Sequence, residues 1–175
     1  WLPAYPFLAL FAGYGLVALL EHAELSLWLG RRWPSWAFAA LCLAPGVVQT
    51  SHSHPFGLSH YMPIAGGVPG AADLGMNRQV WGFTTGSLVP WLKAQRPEGG
   101  AVWLCDTTAG AWAMLRADGE IPANIVAARS MAEADFALVH HERHFAEVDY
   151  QAWVAYGSPQ PVEVLRYDGV PIISV

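Results

Sequence analysis

Histidine is the first residue type here that asks for chemistry, because six of the seven fall in two short groups. His52 and His54 form an His-x-His with His60 close behind, and His140, His141 and His144 form His-His-x-x-His. Pairs at such spacings can ligate zinc, which needs three or four converging N, S or O donors. No Cys or carboxylate completes a recognised ligand spacing, although Glu142 and Asp149 lie near the second group. The expectation is therefore no metal site and no cofactor. Nucleophilic chemistry has no better footing. There is no Gly-x-Ser-x-Gly elbow, and neither Cys42 nor Cys105 has an evident His/Asn set to activate it. Asp106-Thr107-Thr108 follows an apolar run, where α/β sheets bind ligands at strand carboxyl ends. The segment lacks both Gly-x-Gly-x-x-Gly and a phosphate loop, so an Asp or Thr capping the next helix is the simpler reading. The one stretch whose residue types look selected is HPFGLSHYMPIAGG, His54 to Gly67, with aromatic, His and Gly-Gly residues together.

The elements that would position these residues divide the chain in three. Residues 1–50 hold two apolar runs, Pro3 to Leu20 and Trp33 to Thr50, both free of charge. Neither has the 3.6-residue alternation of a half-exposed helix, so both are expected to be transmembrane helices. Arg31 and Arg32 in the loop between them would place that loop in the cytoplasm. Residues 51–97 read as a membrane-proximal loop, then a helix from about Ala71 to Ala94, with Leu74, Trp81, Leu88, Trp91 and Leu92 on one face and a kink at Pro90. Residues 98–175 alternate short β runs with short helices. Strands are expected at Ala101 to Thr107, Asn124 to Ala128 and Asp135 to His140, with helices at Ala109 to Gly119 and Phe145 to Tyr156. Val162 to Tyr167 and Val170 to Val175 flank Asp168-Gly169, a strong hairpin signal. The expected fold class is α/β: two N-terminal transmembrane helices, then a small, mostly parallel sheet ending in an antiparallel hairpin.

Composition supports a membrane setting and excludes one partner. Hydrophobic residues make up 54% and charged residues 13% of the 175, about half the usual charged share. The net charge of −5 lies wholly after residue 50, since Glu21 and Glu24 balance Arg31 and Arg32 before it. An acidic domain lacks the basic face that neutralises phosphates, so nucleic acid is not an expected partner. The two cysteines form no disulfide framework. A start on Trp1, with no basic n-region, reads as that of a fragment.

LPAYPFLALFAGYGL, HPFGLSHYMPIAGG and GMNRQVWG…WLKAQRPEGGAVW together resemble the C-terminal end of polytopic glycosyltransferases of the protein-mannosyltransferase type. In that family a segment close to His-Pro-(aromatic)-x-Leu-Ser-Tyr-Tyr-Asn-Pro-x-x-Gly-Gly follows the last span. His54, Pro55, Phe56, Leu58, Ser59, Tyr61, Pro63, Gly66 and Gly67 match it, whereas His60 and Met62 depart from it. Trp81-Gly82 and Trp91-Leu92 resemble the family's Trp-Gly and Trp-Leu, and Arg166 to Val175 its close. The resemblance implies transfer of a sugar from a polyprenyl-phosphate donor to a cell-envelope or protein acceptor. It also implies an integral membrane location with the C-terminal domain outside the cytoplasm. His54, Ser59 and Tyr61 would then be substrate-binding residues near the donor headgroup, and lipid-linked sugar and membrane lipid the partners. No catalytic residue is expected in this chain, because the family's acidic base lies in its first external loop. The rival expectation is a membrane-anchored binding module without chemistry; a soluble zinc hydrolase is a more distant third.

Overall fold

The computed structural model of the chain describes residues 5–21 and 35–175. They fall in two compact units, one ending at His54 and one running from Pro55 to Val175. The first unit holds α1 (Tyr5–Glu21) and α2 (Ser35–Ser53). The expected pair of transmembrane helices is corrected here: no helix among the described residues is long and apolar enough to cross a membrane. The 17 residues of α1 rise about 25 Å, short of the roughly 30 Å of a hydrocarbon core. The helix α2 has 19 residues, but it begins later than the apolar run and continues through Ser51, His52 and Ser53. Its last turns are therefore polar, with Ser53 Oγ donating to the Thr50 carbonyl at 3.1 Å, and Pro45 removes one backbone donor from its interior. The orientation inferred from Arg31 and Arg32 lies outside the described residues.

The second unit opens with single 3₁₀ turns at Gly57–Ser59 and Pro63–Ala65. Next comes α3 (Gly67–Asp73), then a 3₁₀ helix (Phe83–Leu88) that runs into α4 (Val89–Gln95). A continuous helix from 71 to 94 does not form. Gly75, Trp81 and Gly82 all have left-handed backbones, with φ of 73°, 59° and 60°, and each breaks the right-handed ladder. Leu88, Val89 and Leu92 are buried after the break, whereas Leu74 and Trp81, expected on the same face, are exposed.

Five strands follow: β1 (Gly100–Leu104), β2 (Ile125–Ala127), β3 (Phe136–His140), β4 (Val164–Tyr167) and β5 (Val170–Ser174). Between them lie α5 (Ala109–Ala117) and α6 (Ala146–Tyr156). The order is β2-β1-β3-β5-β4. β1 pairs in parallel with β2 and β3, while β5 is antiparallel to β3 and β4. The sheet is thus evenly mixed rather than mostly parallel. Asp168 and Gly169, with φ of 48° and 79°, turn β4 into β5, positive φ at both positions being the geometry that matches strand twist.

Registers assign the faces. Leu104 is opposite Leu138, and His140 is opposite Ile173, so these side chains share one face. Against that face pack Val68, Leu88, Val89, Leu92 and Trp112 to form the main core. Trp103 opposite Ala137, and Val139 opposite Ser174, mark the other face, where α6 lies. Leu138, wholly buried at the centre of this core, is the sharpest test of it. Leu138→Ala is expected to lower the unfolding free energy by about 3 kcal/mol, read from urea denaturation of the purified protein.

Candidate functional site

The carboxyl ends of β1 and β3 lie side by side because the two strands are parallel neighbours. Asp106 and Thr107 follow β1, and His141 and Glu142 follow β3. Over these ends passes the segment from Asn77 to Thr85, which brings Gln79, Thr84 and Thr85, all buried. The Gln79 amide Nε2 donates to Glu142 Oε1 at 2.6 Å and to Asp106 Oδ2 at 3.4 Å. One amide with two N–H groups therefore bridges two carboxyl groups. Beside it, Thr85 Oγ1 donates to the Gly82 carbonyl at 2.8 Å and contacts both Thr107 Oγ1 and His140 Nε2, the latter at 3.0 Å. The single Thr85 proton is used on Gly82, so Thr107 and His140 must be donors. That places the His140 proton on Nε2.

Electrostatics follow from this crowding. Burial pushes the Glu142 carboxyl up to about 7, aided by its hydrogen bond with Asp106 and by the Asp106 charge, against a smaller opposing effect of the Trp81 backbone N–H. Near neutral pH the Glu142 carboxyl is therefore partly protonated. Burial lowers His140 to about 4, so its ring is neutral. Burial also raises the Cys105 thiol to about 11, leaving it protonated and unreactive.

What the cluster holds in place is a strained backbone. Gly82 sits so close to β1 that a Cβ there would stand 3.0 Å from the Asp106 carbonyl carbon and from the Thr107 nitrogen. Trp81, just before it, is a bulky residue in the left-handed region and is 78% exposed. Such a conformation costs about 1–2 kcal/mol for an L side chain and persists only where its surroundings enforce it. The loop therefore presents an indole to solvent at an energetic cost that the carboxyl–amide bridge offsets.

The three residues expected to bind substrate have different surroundings. Tyr61 is half-buried and its hydroxyl donates to the Asn77 carbonyl at 2.6 Å, tying the His54–Gly67 stretch to the start of the Trp81 loop. Ser59 is wholly buried, with no hydrogen-bond partner for its hydroxyl among the described residues. His54 is exposed and is the last residue of the first unit. Helix capping after β1 is done by Thr108, whose Oγ1 accepts from Ala111 N at 3.1 Å, which frees Asp106 for the cluster. The residues that sequence reading missed are Gln79 and Thr85, and it named Glu142 only as an accessory metal ligand.

Among the described residues no three or more His, Cys, Asp or Glu side chains gather to hold a metal ion. Strand alternation explains part of this: His140 turns toward the core face, with Ile173, and His141 toward the other, where its Nε2 meets Ser174 Oγ at 2.7 Å. Adjacent positions on one strand end thus serve different surroundings.

The Glu142 shift carries a pH signature. Its folded-state pKa lies above its ordinary value of 4.5, so the folded chain binds the extra proton between those limits. The stability it contributes is complete at low pH and is lost as pH rises through about 7. His140, lowered from 6.5 to about 4, acts oppositely, since its contribution is lost on acidification through that range. Glu142→Gln should remove the first trend and keep the second. Denaturation of both proteins at pH about 5 and about 7.5 is therefore expected to show the variant gaining stability relative to the native chain as pH rises. Equal pH slopes would mean that Glu142 titrates normally.

Comparison of the chain with protein-family models, with curated proteins and with solved structures finds no match.

Proposed function

We propose that the chain is part of a glycosyltransferase that takes a sugar from a polyprenyl-phosphate donor and passes it to a cell-envelope or protein acceptor. The observation that carries this reading is Trp81: a bulky, exposed residue in a left-handed backbone, held there by buried polar contacts. Strain maintained against its own cost, at an exposed aromatic, points to use in recognition. The same Trp81-Gly82 pair belongs to a stretch that resembles the transferase family, and Tyr61, from the other resembling stretch, is bonded to its start. In this reading Trp81 touches a substrate, while Gln79, Glu142, Asp106 and Tyr61 are positioning residues acting through the loop. The base that deprotonates the acceptor is, in this reading, not one of these residues.

Substrate contact and structural support by Trp81 make opposite forecasts. Trp81→Gly relieves the left-handed strain and is expected to raise stability by roughly 1 kcal/mol. The same variant should lose about tenfold or more of sugar transfer. Transfer is measured with radiolabelled polyprenyl-phosphate sugar and membrane fractions from cells expressing the complete protein. Absence of any transfer by the native protein across several lipid-linked sugars would overturn the reading, and a stabilised variant with unchanged transfer would remove the role of Trp81.

A further inference from the structure

The second face of the sheet carries a groove that the cluster at the strand ends does not use. It encloses about 350 Å³ between β3, β5 and α6. It exists because its floor is built from small side chains, Ala137 and Val139, while α6 has no buried residue to fill the space above them. The turn after α6, with Pro159 and Pro161, closes one side. A volume of this size falls at the lower end of small-ligand sites, which range over about 300–1,000 Å³.

The lining is of two kinds. Trp153 and Tyr156 of α6 supply flat apolar surface, and both remain partly exposed, at 47% and 40%. Tyr156 is fixed, since its hydroxyl donates to the Met131 and Ala134 carbonyls at 3.3 and 3.4 Å. Around these rings stand Asp149, Gln160 and the hydrogen-bonded His141–Ser174 pair. Burial lowers the His141 pKa, so that ring is neutral and offers directional hydrogen bonding without charge. No Lys or Arg lines the groove, whereas Asp135 and Asp149 both do.

From this lining we infer that the groove binds a single pyranose unit without negative charge. A pyranose has an apolar C–H face that suits an aromatic ring and a rim of hydroxyls that suits carboxylate, amide and imidazole groups. A purely hydrocarbon ligand would take water from Asp149 and Gln160 and give them no partner, at a cost for each, whereas the His141–Ser174 pair already satisfies itself. An anionic ligand would face the Asp149 carboxylate with no Lys or Arg in the lining, Asp135 being already paired with Arg96 at 3.4 Å. The enclosed volume of about 350 Å³ suits one ring-sized unit. A sugar site here goes beyond the transferase reading and rests on the groove alone.

The test is tryptophan fluorescence of the purified chain titrated with methyl α-glucopyranoside, methyl α-mannopyranoside and methyl α-glucuronide. A saturable change with a neutral glycoside is expected, with the glucuronide weaker by about tenfold or more. Trp153→Ala should weaken binding by about tenfold, and Trp153→Phe should restore most of it. Far-ultraviolet circular dichroism is expected to match the native chain in both variants. Since Trp153 also reports the signal, affinities for the variants are read by calorimetry. Trp81→Gly should bind the glycosides normally, so loss of transfer and loss of groove binding are distinguishable. No saturation with any glycoside up to about 0.1 M, far weaker than ordinary small-ligand sites, overturns the inference. So does equal binding of the glucuronide, or saturable binding of farnesol in place of sugars.

Discussion

Two carboxyl groups at the ends of adjacent parallel strands form the constraint on which the second unit depends. Strands about 4.8 Å apart bring their following residues together, and here those residues are Asp106 and Glu142. Left alone, the buried Glu142 carboxylate would lose its hydration and be repelled by the half-buried Asp106 beside it. The Gln79 amide answers both problems with its two N–H groups, and the raised pKa of Glu142 lessens the charge near neutral pH. Gln79 can do this only if its own segment lies across the strand ends. That route leaves no room for a side chain at position 82 and forces Trp81 into a left-handed turn. It then delivers the chain into the 3₁₀ helix and α4, where Leu88, Val89 and Leu92 complete the core. Polar satisfaction at one end of the sheet therefore dictates where apolar packing begins on its face.

β3 is the hinge of this arrangement because it is parallel on one side and antiparallel on the other. A parallel partner aligns the carboxyl ends that make the cluster. An antiparallel partner sets Ser174, the last residue of β5, opposite Val139 and on the same face as His141, so the Ser174 and His141 side chains meet. The core face is filled by side chains from four elements, whereas the opposite face receives one helix that buries none of its residues. Unequal filling of the two faces is what leaves a groove on one of them.

Several elements were legible in the sequence for plain physical reasons. Each strand appears as a short apolar run within two or three residues of its observed ends, and the Asp168-Gly169 turn follows from local backbone preference alone. The helix expected over 71–94 was not, because apolar spacing counted Leu74 and Trp81 as a face without weighing Gly75 and Gly82. The apolar runs of the first unit misled in another way: absence of charge marks what can be apolar, but it does not mark where a helix ends. α2 continues to Ser53 through residues that belong in water. The site was the least legible part. Gln79 and Glu142 are 63 residues apart, and no local pattern distinguishes a glutamine that bridges carboxyls from one on a surface. Trp81-Gly82 was visible as a dipeptide, but its meaning depends on the loop beneath it.

Cluster and groove share the end of one strand, which ties them together more firmly than proximity would. His140 and Glu142 turn toward the cluster, and His141, between them, turns toward the groove. Alternation of faces along an extended chain makes this division obligatory, and a slip of one residue would exchange the two sets entirely. The slip is resisted on both sides at once. It would drive Leu138 out of the core, part Gln79 from its carboxyl and separate His141 from Ser174. The register of β3 is thus fixed by buried apolar area and by two unrelated polar contacts. For that reason a strained, exposed tryptophan on one side and a half-empty face on the other can both be carried by so small a sheet.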